Sequence, residues 1–235
     1  MDNIHMADMG YTHIVFVLDR SASMAGLKSD TIGGFNEFLR EQKTAEGYAT
    51  FSLIQFADDY TDTVSKTGIQ QVDELTDVTY QPTGCSTGLR DALGRSINET
   101  SSWLKNTLLI IKPGKIIFVI YTDGLENSSK EFSQSQITEM ITSKENDQDW
   151  NFIYMGANQD AIKVGVSMGM ETGNTLSYAA TGKGTRSAYE NLSSDMLCYR
   201  KGVTAKVQNF VSDKSKRDQD DLLDDAKWTN LADKS

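Results

Sequence analysis

Three oxygen-bearing side chains stand at alternate positions early in the chain: Asp19, Ser21 and Ser23, within D-R-S-A-S-M at 19–24. A carboxylate and two hydroxyls held together make an all-oxygen donor set. Such a set suits a hard cation, Mg²⁺, Mn²⁺ or Ca²⁺, better than zinc. The residues just before it supply the element that could aim it. Ile14 to Leu18 form a short unbroken apolar run. That pattern fits a strand buried on both faces. The polar residues after it then fall at the carboxyl end of a sheet, where open α/β folds bind ligands.

A second apolar strand, over Lys115–Tyr121, also runs into a carboxylate, at Thr122-Asp123-Gly124. Between the two lie a helix over Lys28–Lys43, with Phe35, Phe38 and Leu39 on one face, and a strand over Ala49–Phe56. Asp58-Asp59 marks a turn into an edge strand, Tyr60–Lys66, which makes the pair an antiparallel hairpin. Gln70–Val78 is ambiguous, a short helix being one reading. A loop rich in turn formers, Tyr80–Gly88, leads into a long helix over Gly88–Leu109, which Pro113-Gly114 breaks. Helices are expected over Ser133–Lys144, Asp160–Met168 and Thr185–Tyr199, and strands over Trp150–Met155 and Thr175–Tyr178.

Strands alternating with helices predict an α/β fold. Its sheet is doubly wound and mainly parallel, with one antiparallel edge strand and helices on both faces. Loops at the carboxyl ends of neighbouring strands meet at the switch point of such a sheet. Asp19, Ser21 and Ser23, Thr87 from the loop before the long helix, and Asp123 can therefore converge on one ion. Residues 1–10 read as a leader, 11–200 as the domain, and 201–235 as an acidic, mobile tail. Leu222, Leu223 and Trp228 are that tail's apolar interruptions.

Three stretches, D-R-S-A-S-M at 19–24, T-G-L-R-D-A-L at 87–93 and Y-T-D-G at 121–124, resemble the three motifs of the von Willebrand factor type A (VWA) domain. Order and spacing agree over roughly residues 11 to 200. The resemblance implies the Rossmann-like VWA fold and a metal-ion-dependent adhesion site (MIDAS). It further implies that Ser21, Ser23 and Thr87 bind the metal directly, and that Asp19 and Asp123 do so directly or through water. Mg²⁺ or Mn²⁺ is expected there, with Ca²⁺ less favoured. Two positions depart from the family pattern. Ser86 stands where Gly often precedes the Thr, so a loop shifted by one residue would put Ser86 in place of Thr87. Ala22 replaces a frequent Gly. Arg20 either flanks the ion or is a solvated loop residue, the second being favoured.

The function implied is binding rather than catalysis, in a compact member of the intracellular, bacterial or phage type. The module grips an Asp or Glu of a partner protein through the ion. Two rivals stand beside it: a metal-dependent hydrolase, and a structural subunit whose metal site serves only stability.

Composition narrows the classes. A formal net charge of −10 argues against a nucleic-acid backbone or an anionic membrane surface as partner. Two cysteines, Cys85 and Cys198, read as lone thiols of a reducing compartment. The first ten residues carry no signal-peptide pattern, and no apolar run reaches membrane-spanning length. A cytoplasmic location is expected. The G-x-S-x-G at 165–169 lacks a downstream histidine, both His5 and His13 lying upstream, so it reads as a helix end and a turn. Gly182-Lys-Gly-Thr185 reads as a loop leading into the last helix. Asp218, Asp220, Asp221, Asp224 and Asp225 read as a solvated tail. Their alternative role is to offer a carboxylate to a neighbouring molecule's ion, giving self-association.

Overall fold

The two most apolar runs lie side by side. Ile14–Leu18 and Ile117–Tyr121 are almost wholly removed from solvent, and their strands pair in parallel, with Phe16 opposite Val119 and Leu18 opposite Tyr121. A computed structural model describes residues 8–157 and 161–204. It has strands β1 (Asp8–Asp19), β2 (Ala49–Phe56), β3 (Tyr60–Gly68), β4 (Pro113–Thr122), β5 (Asn151–Ala157) and β6 (Thr175–Tyr178). The helices are α1 (Lys28–Thr44), α2 (Leu89–Asn106), α3 (Gln134–Gln148), α4 (Ala161–Ser167) and α5 (Gly182–Arg200).

The strand order is β3-β2-β1-β4-β5-β6, parallel throughout except for the antiparallel β2–β3 edge pair. This is the expected doubly wound sheet. Alternation along β1 divides the core in two. Ile14, Phe16 and Leu18 pack with Phe35, Phe38, Tyr189 and Leu192 beneath α1 and α5. Val15 and Val17 pack with Leu89, Leu93, Ile97, Ile137 and Ile141 beneath α2 and α3. The strand order reverses direction between β1 and β4, so the crevice at their carboxyl ends is the switch point. Asp19 ends β1, and Asp123 follows β4 directly.

Several boundaries differ from the sequence expectation. β1 begins at Asp8 rather than His13, because Asp8 pairs with Pro113 across a register shift ahead of the apolar run. Pro113 and Gly114 open β4 instead of merely ending a helix. Segment 69–78 holds only a single 3₁₀ turn, Ile69–Gln71. The long helix stops at Asn106, and Leu109–Ile111 form a separate 3₁₀ turn. Gly182-Lys-Gly-Thr185 is the first turn of α5 itself, capped by the Thr181 hydroxyl, which accepts from the Gly184 amide at 3.1 Å. Gly165–Gly169 is a helix end and turn as expected, with Gly169 at φ +92°. The tail from 205 onward and the leader up to residue 7 lie outside the described residues.

Candidate metal centre

The first loop folds upon itself. Asp19 is fully buried, and its Oδ1 accepts the Ser21 amide at 2.7 Å, turning the chain sharply after β1. Its Oδ2 accepts the Thr122 hydroxyl at 2.6 Å. Ser21 and Ser23 stand 3.0 Å apart through their hydroxyls, and Ser23 donates to Asp123 Oδ1 at 2.7 Å. The loops after β1 and β4 are thus tied together through the donor atoms themselves.

Thr87 joins them from the third loop. A Cβ placed on Gly124 would lie 3.1 Å from Thr87 Oγ1 and 3.8 Å from both Asp19 Oδ2 and Ser23 Oγ. Three oxygens from the first and second motifs therefore surround one point beside Gly124 of the third, a point that a glycine leaves open. Thr87 is buried, whereas Ser86 is half-buried and Cys85 is exposed. Asp19 and Ser21 form a buried floor; Ser23 is exposed and Asp123 half-buried, so the cluster opens outward.

Surrounding groups fix this arrangement. Tyr80 donates its hydroxyl to the Asp19 carbonyl at 2.7 Å. Ser21 forms a parallel bridge with Gly84, bringing the 80–88 loop against the first one. Asn127 clasps Thr87 twice: its Oδ1 accepts the Thr87 amide at 2.9 Å, and its amide donates to the Thr87 carbonyl at 3.1 Å. Asp91, in the first turn of α2, accepts the amides of Lys130, Glu131 and Phe132 at 2.8, 2.9 and 3.0 Å. Glu126 accepts the amides of Ser128, Ser129 and Arg90. Sequence reasoning missed Thr122, Gly124, Glu126 and Asn127 as site-building residues. Thr122 and Gly124 lie inside the Y-T-D-G motif, which was the available signal; the polar run 125–132 has no periodicity to reveal its role.

Arg20 differs from the favoured expectation. Its guanidinium grips both oxygens of Asp59 at 2.5 Å, fastening the first loop to the β2–β3 turn. Tyr121 is core, stacked on Tyr178 and Tyr189.

Burial raises the Asp19 carboxyl above its ordinary value; the Thr122 and Ser21 hydrogen bonds oppose this, and the Asp123 charge adds to it. Burial raises Asp123 too, against the hydrogen bond from Ser23. Two partly desolvated carboxylates so close together favour a positive charge between them. Among the described residues no group of three His, Cys, Asp or Glu side chains suits a metal ion. The present cluster has two carboxylates and three hydroxyls, a donor set for a hard cation and a poor one for soft metals. The open point beside Gly124 and the all-oxygen chemistry fit such an ion. Among the described residues no helix is long and apolar enough to cross a membrane.

No sequence-family model matches the chain, and no curated protein sequence is similar to it. Solved structures are. Proximal thread matrix protein 1 from the mussel byssus aligns at a TM-score of 0.56 and 16% identity, over 80% of this chain and 48% of that one. A second structure of the same protein, described as having a zinc-occupied MIDAS motif, aligns at 0.55 and 17% identity, with the same 80% and 48% coverage. The von Willebrand factor type A structure from Catenulispora acidiphila aligns at 0.49 and 11% identity, over 80% of this chain and 42% of that one. The chain thus spans about half the length of the mussel protein it matches. With the strand order described above, the likeness establishes the architecture: the Rossmann-like α/β fold of VWA domains.

Proposed function

We propose that this chain is a divalent-cation-dependent protein-binding module. Ser21, Ser23 and Thr87 hold the ion through neutral hydroxyls, and Asp19 and Asp123 hold it directly or through water. The observation that carries this reading is the convergence of Thr87 Oγ1, Asp19 Oδ2 and Ser23 Oγ on the open point beside Gly124. The mussel structure with a zinc-occupied MIDAS motif supports a divalent metal on this fold. For this chain we favour Mg²⁺ or Mn²⁺, because every donor is a hard oxygen.

An ion held by these five residues would accept a further oxygen ligand from outside. Three of the five ligands are uncharged, so its positive charge is only partly compensated. An Asp or Glu of a partner protein completes the shell and neutralises it. Ser23 and Asp123, on the open side of the cluster, border the place where that carboxylate arrives. The proposal is of recognition and not of bond breaking. His13, the described histidine, lies six residues before Asp19 on β1, roughly 20 Å away along the strand, too far to act as a base at the ion.

The test is partner capture from lysate of the source cells in Mg²⁺ and in EDTA, with Asp19→Ala and Thr87→Ala as controls. A protein retained only by the unaltered chain in Mg²⁺ is the expected result. A partner held equally by Asp19→Ala, or in EDTA, would move recognition to another surface and leave the ion a stabilising role. Phosphate-ester turnover lost in Asp123→Ala would replace the proposal with the hydrolase.

A further inference from the structure

The opposite end of the sheet carries a second concave surface. A groove of about 700 Å³ lies at the amino ends of β1, β2 and β4, remote from the metal cluster. Tyr48, Trp103, Leu108, Ile110 and Ile111 are among its walls, and Tyr11, Thr50 and Lys66 line it from the sheet. Leu108 is 71% and Ile110 76% exposed, so the apolar wall stands open to solvent. A concave site of this size, with aromatic sides and few polar groups, has the usual form of a small-molecule pocket.

Lys66 reaches the groove through a backbone irregularity. Val64 packs against the core beneath α1 and α5, and strict alternation along β3 would put Lys66 on that same face. The register shifts between the Phe51–Thr67 and Leu53–Val64 pairs, so Ser65 and Lys66 together stand opposite Ser52. The Lys66 amide donates to the Ser52 hydroxyl at 2.9 Å, and Lys66 sits at φ +50°. This bulge brings the lysine to the groove face, where Thr50 also lies. A lysine held in the left-handed region is strained, and such strain gathers at functional sites. Its ammonium donates to Ser65 Oγ at 3.0 Å. Among the described residues no carboxylate pairs with it, and no acidic side chain lines the groove.

The floor beside Lys66 is polar and fixed. The hydroxyls of Tyr11 and Thr50 stand 3.0 Å apart, and Thr50 Oγ1 is 2.9 Å from Nδ1 of the wholly buried His13. The His13 ring packs against Trp103, with centroids 4.8 Å apart, so the same chain of contacts sets the aromatic wall. One cation with no acidic neighbour matches a single negative charge. Apolar walls on the remaining sides match a body without further charge.

We propose that this groove binds a small amphipathic carboxylate, with its apolar body against Tyr48, Trp103 and the 108–111 wall and its carboxylate on the Lys66 ammonium. The site does not depend on the metal cluster, and binding survives EDTA.

The test titrates naphthaleneacetate into the full chain in EDTA, with naphthaleneacetamide as the uncharged match, and follows backbone amide NMR shifts. Saturable shifts are expected at residues 11, 48–50, 66 and 103–111, and the uncharged probe should bind at least about tenfold more weakly, the usual effect of losing a charged hydrogen bond. Lys66→Gly removes the ammonium and relieves the left-handed backbone. It should melt no lower than the unaltered chain and bind both probes equally, at the weaker level. Equal affinity of the unaltered chain for the two probes would overturn the proposal, leaving only an apolar surface. So would unchanged naphthaleneacetate binding in Lys66→Gly, or the absence of shifts at these residues with millimolar probe. A concentration-dependent doubling of mass, with the groove closed to the probe until dilution, would overturn it in favour of a second copy.

Discussion

Thr122 donates its hydroxyl to Asp19 Oδ2 at 2.6 Å, joining the ends of the two central strands 103 residues apart in sequence. The same hydroxyl accepts the Gly124 amide at 3.1 Å. One small side chain therefore aims the buried carboxylate and shapes the turn that carries Asp123. Thr122→Val keeps the shape and removes the hydroxyl. It should weaken Mg²⁺ binding by roughly 10–100-fold, the usual effect of losing a hydrogen bond to a metal ligand. Calorimetric titration with Mg²⁺ measures this. Unchanged affinity would mean that Asp19 is aimed by Ser21 alone.

Gly124 leaves open the point on which three oxygens converge. A Cβ there comes within 3.1 Å of Thr87 Oγ1, and a larger side chain would take the remaining space. Gly124→Val should therefore abolish the rise in Tm that Mg²⁺ gives the unaltered chain. That rise corresponds to about 2.7 kcal/mol at a hundredfold excess over Kd. In EDTA the variant and the unaltered chain should melt within a few degrees of each other, because Gly124 is half-buried and at the surface of the loop. A preserved Mg²⁺ effect would place the ion elsewhere.

Asp91 accepts three successive backbone amides from 130–132 and so closes the loop that also clasps Thr87 through Asn127. Hydrogen bonds to a charged acceptor are among the stronger ones. Asp91→Ala leaves all three donors without this partner, and should cost on the order of 2–3 kcal/mol in urea unfolding. Mg²⁺ affinity should fall with it, since Thr87 loses its brace. Full stability with weakened Mg²⁺ binding would show that the loop holds the ligand without holding the fold.

The five candidate ligands were legible because strand ends are legible. Ile14–Leu18 and Ile116–Tyr121 are unbroken apolar runs, and in a parallel sheet whatever follows such a run reaches the carboxyl-end crevice. Thr87 needed its motif, since nothing periodic precedes it. The braces were not legible for a corresponding reason. Glu126, Asn127 and Ser129 act through side-chain-to-backbone bonds in a loop whose polar composition is shared by any solvated loop. Asp91 stands inside the T-G-L-R-D-A-L motif, but nothing in that motif tells that its carboxylate holds the amides of 130–132. At the first strand, the apolar run marked the buried part but not residues 8–12, whose pairing depends on Pro113 and Lys115 opposite them. Gly182 and Gly184 argued against helix by propensity, yet α5 starts there because the Thr181 cap satisfies the Gly184 amide.

His13 and Asp195 give the fold opposing responses to acid. His13 lies wholly buried against the Trp103 ring, with Nδ1 2.9 Å from the Thr50 hydroxyl. Burial, with the Lys66 charge adding to it, lowers the imidazole from 6.5 to about 3. The unfolded chain therefore binds a proton that the folded chain refuses between pH 6.5 and about 3. Stability falls through that window as pH falls, by up to roughly 1.4 kcal/mol per unit. Asp195 on α5 works the other way. Burial raises its carboxyl from 3.8 to about 6, so its contribution is lost as pH rises through that interval. The two largely offset each other between about 4 and 6. His13→Asn keeps an acceptor for Thr50 and removes the titration; its stability in EDTA should rise relative to the unaltered chain as pH drops below 6. Asp195→Asn should make the unaltered chain's acid sensitivity steeper between about 6 and 4. Urea midpoints at pH 7, 6, 5 and 4 measure both slopes. Parallel midpoint-versus-pH curves for His13→Asn and the unaltered chain would mean that His13 takes up its proton without unfolding the chain.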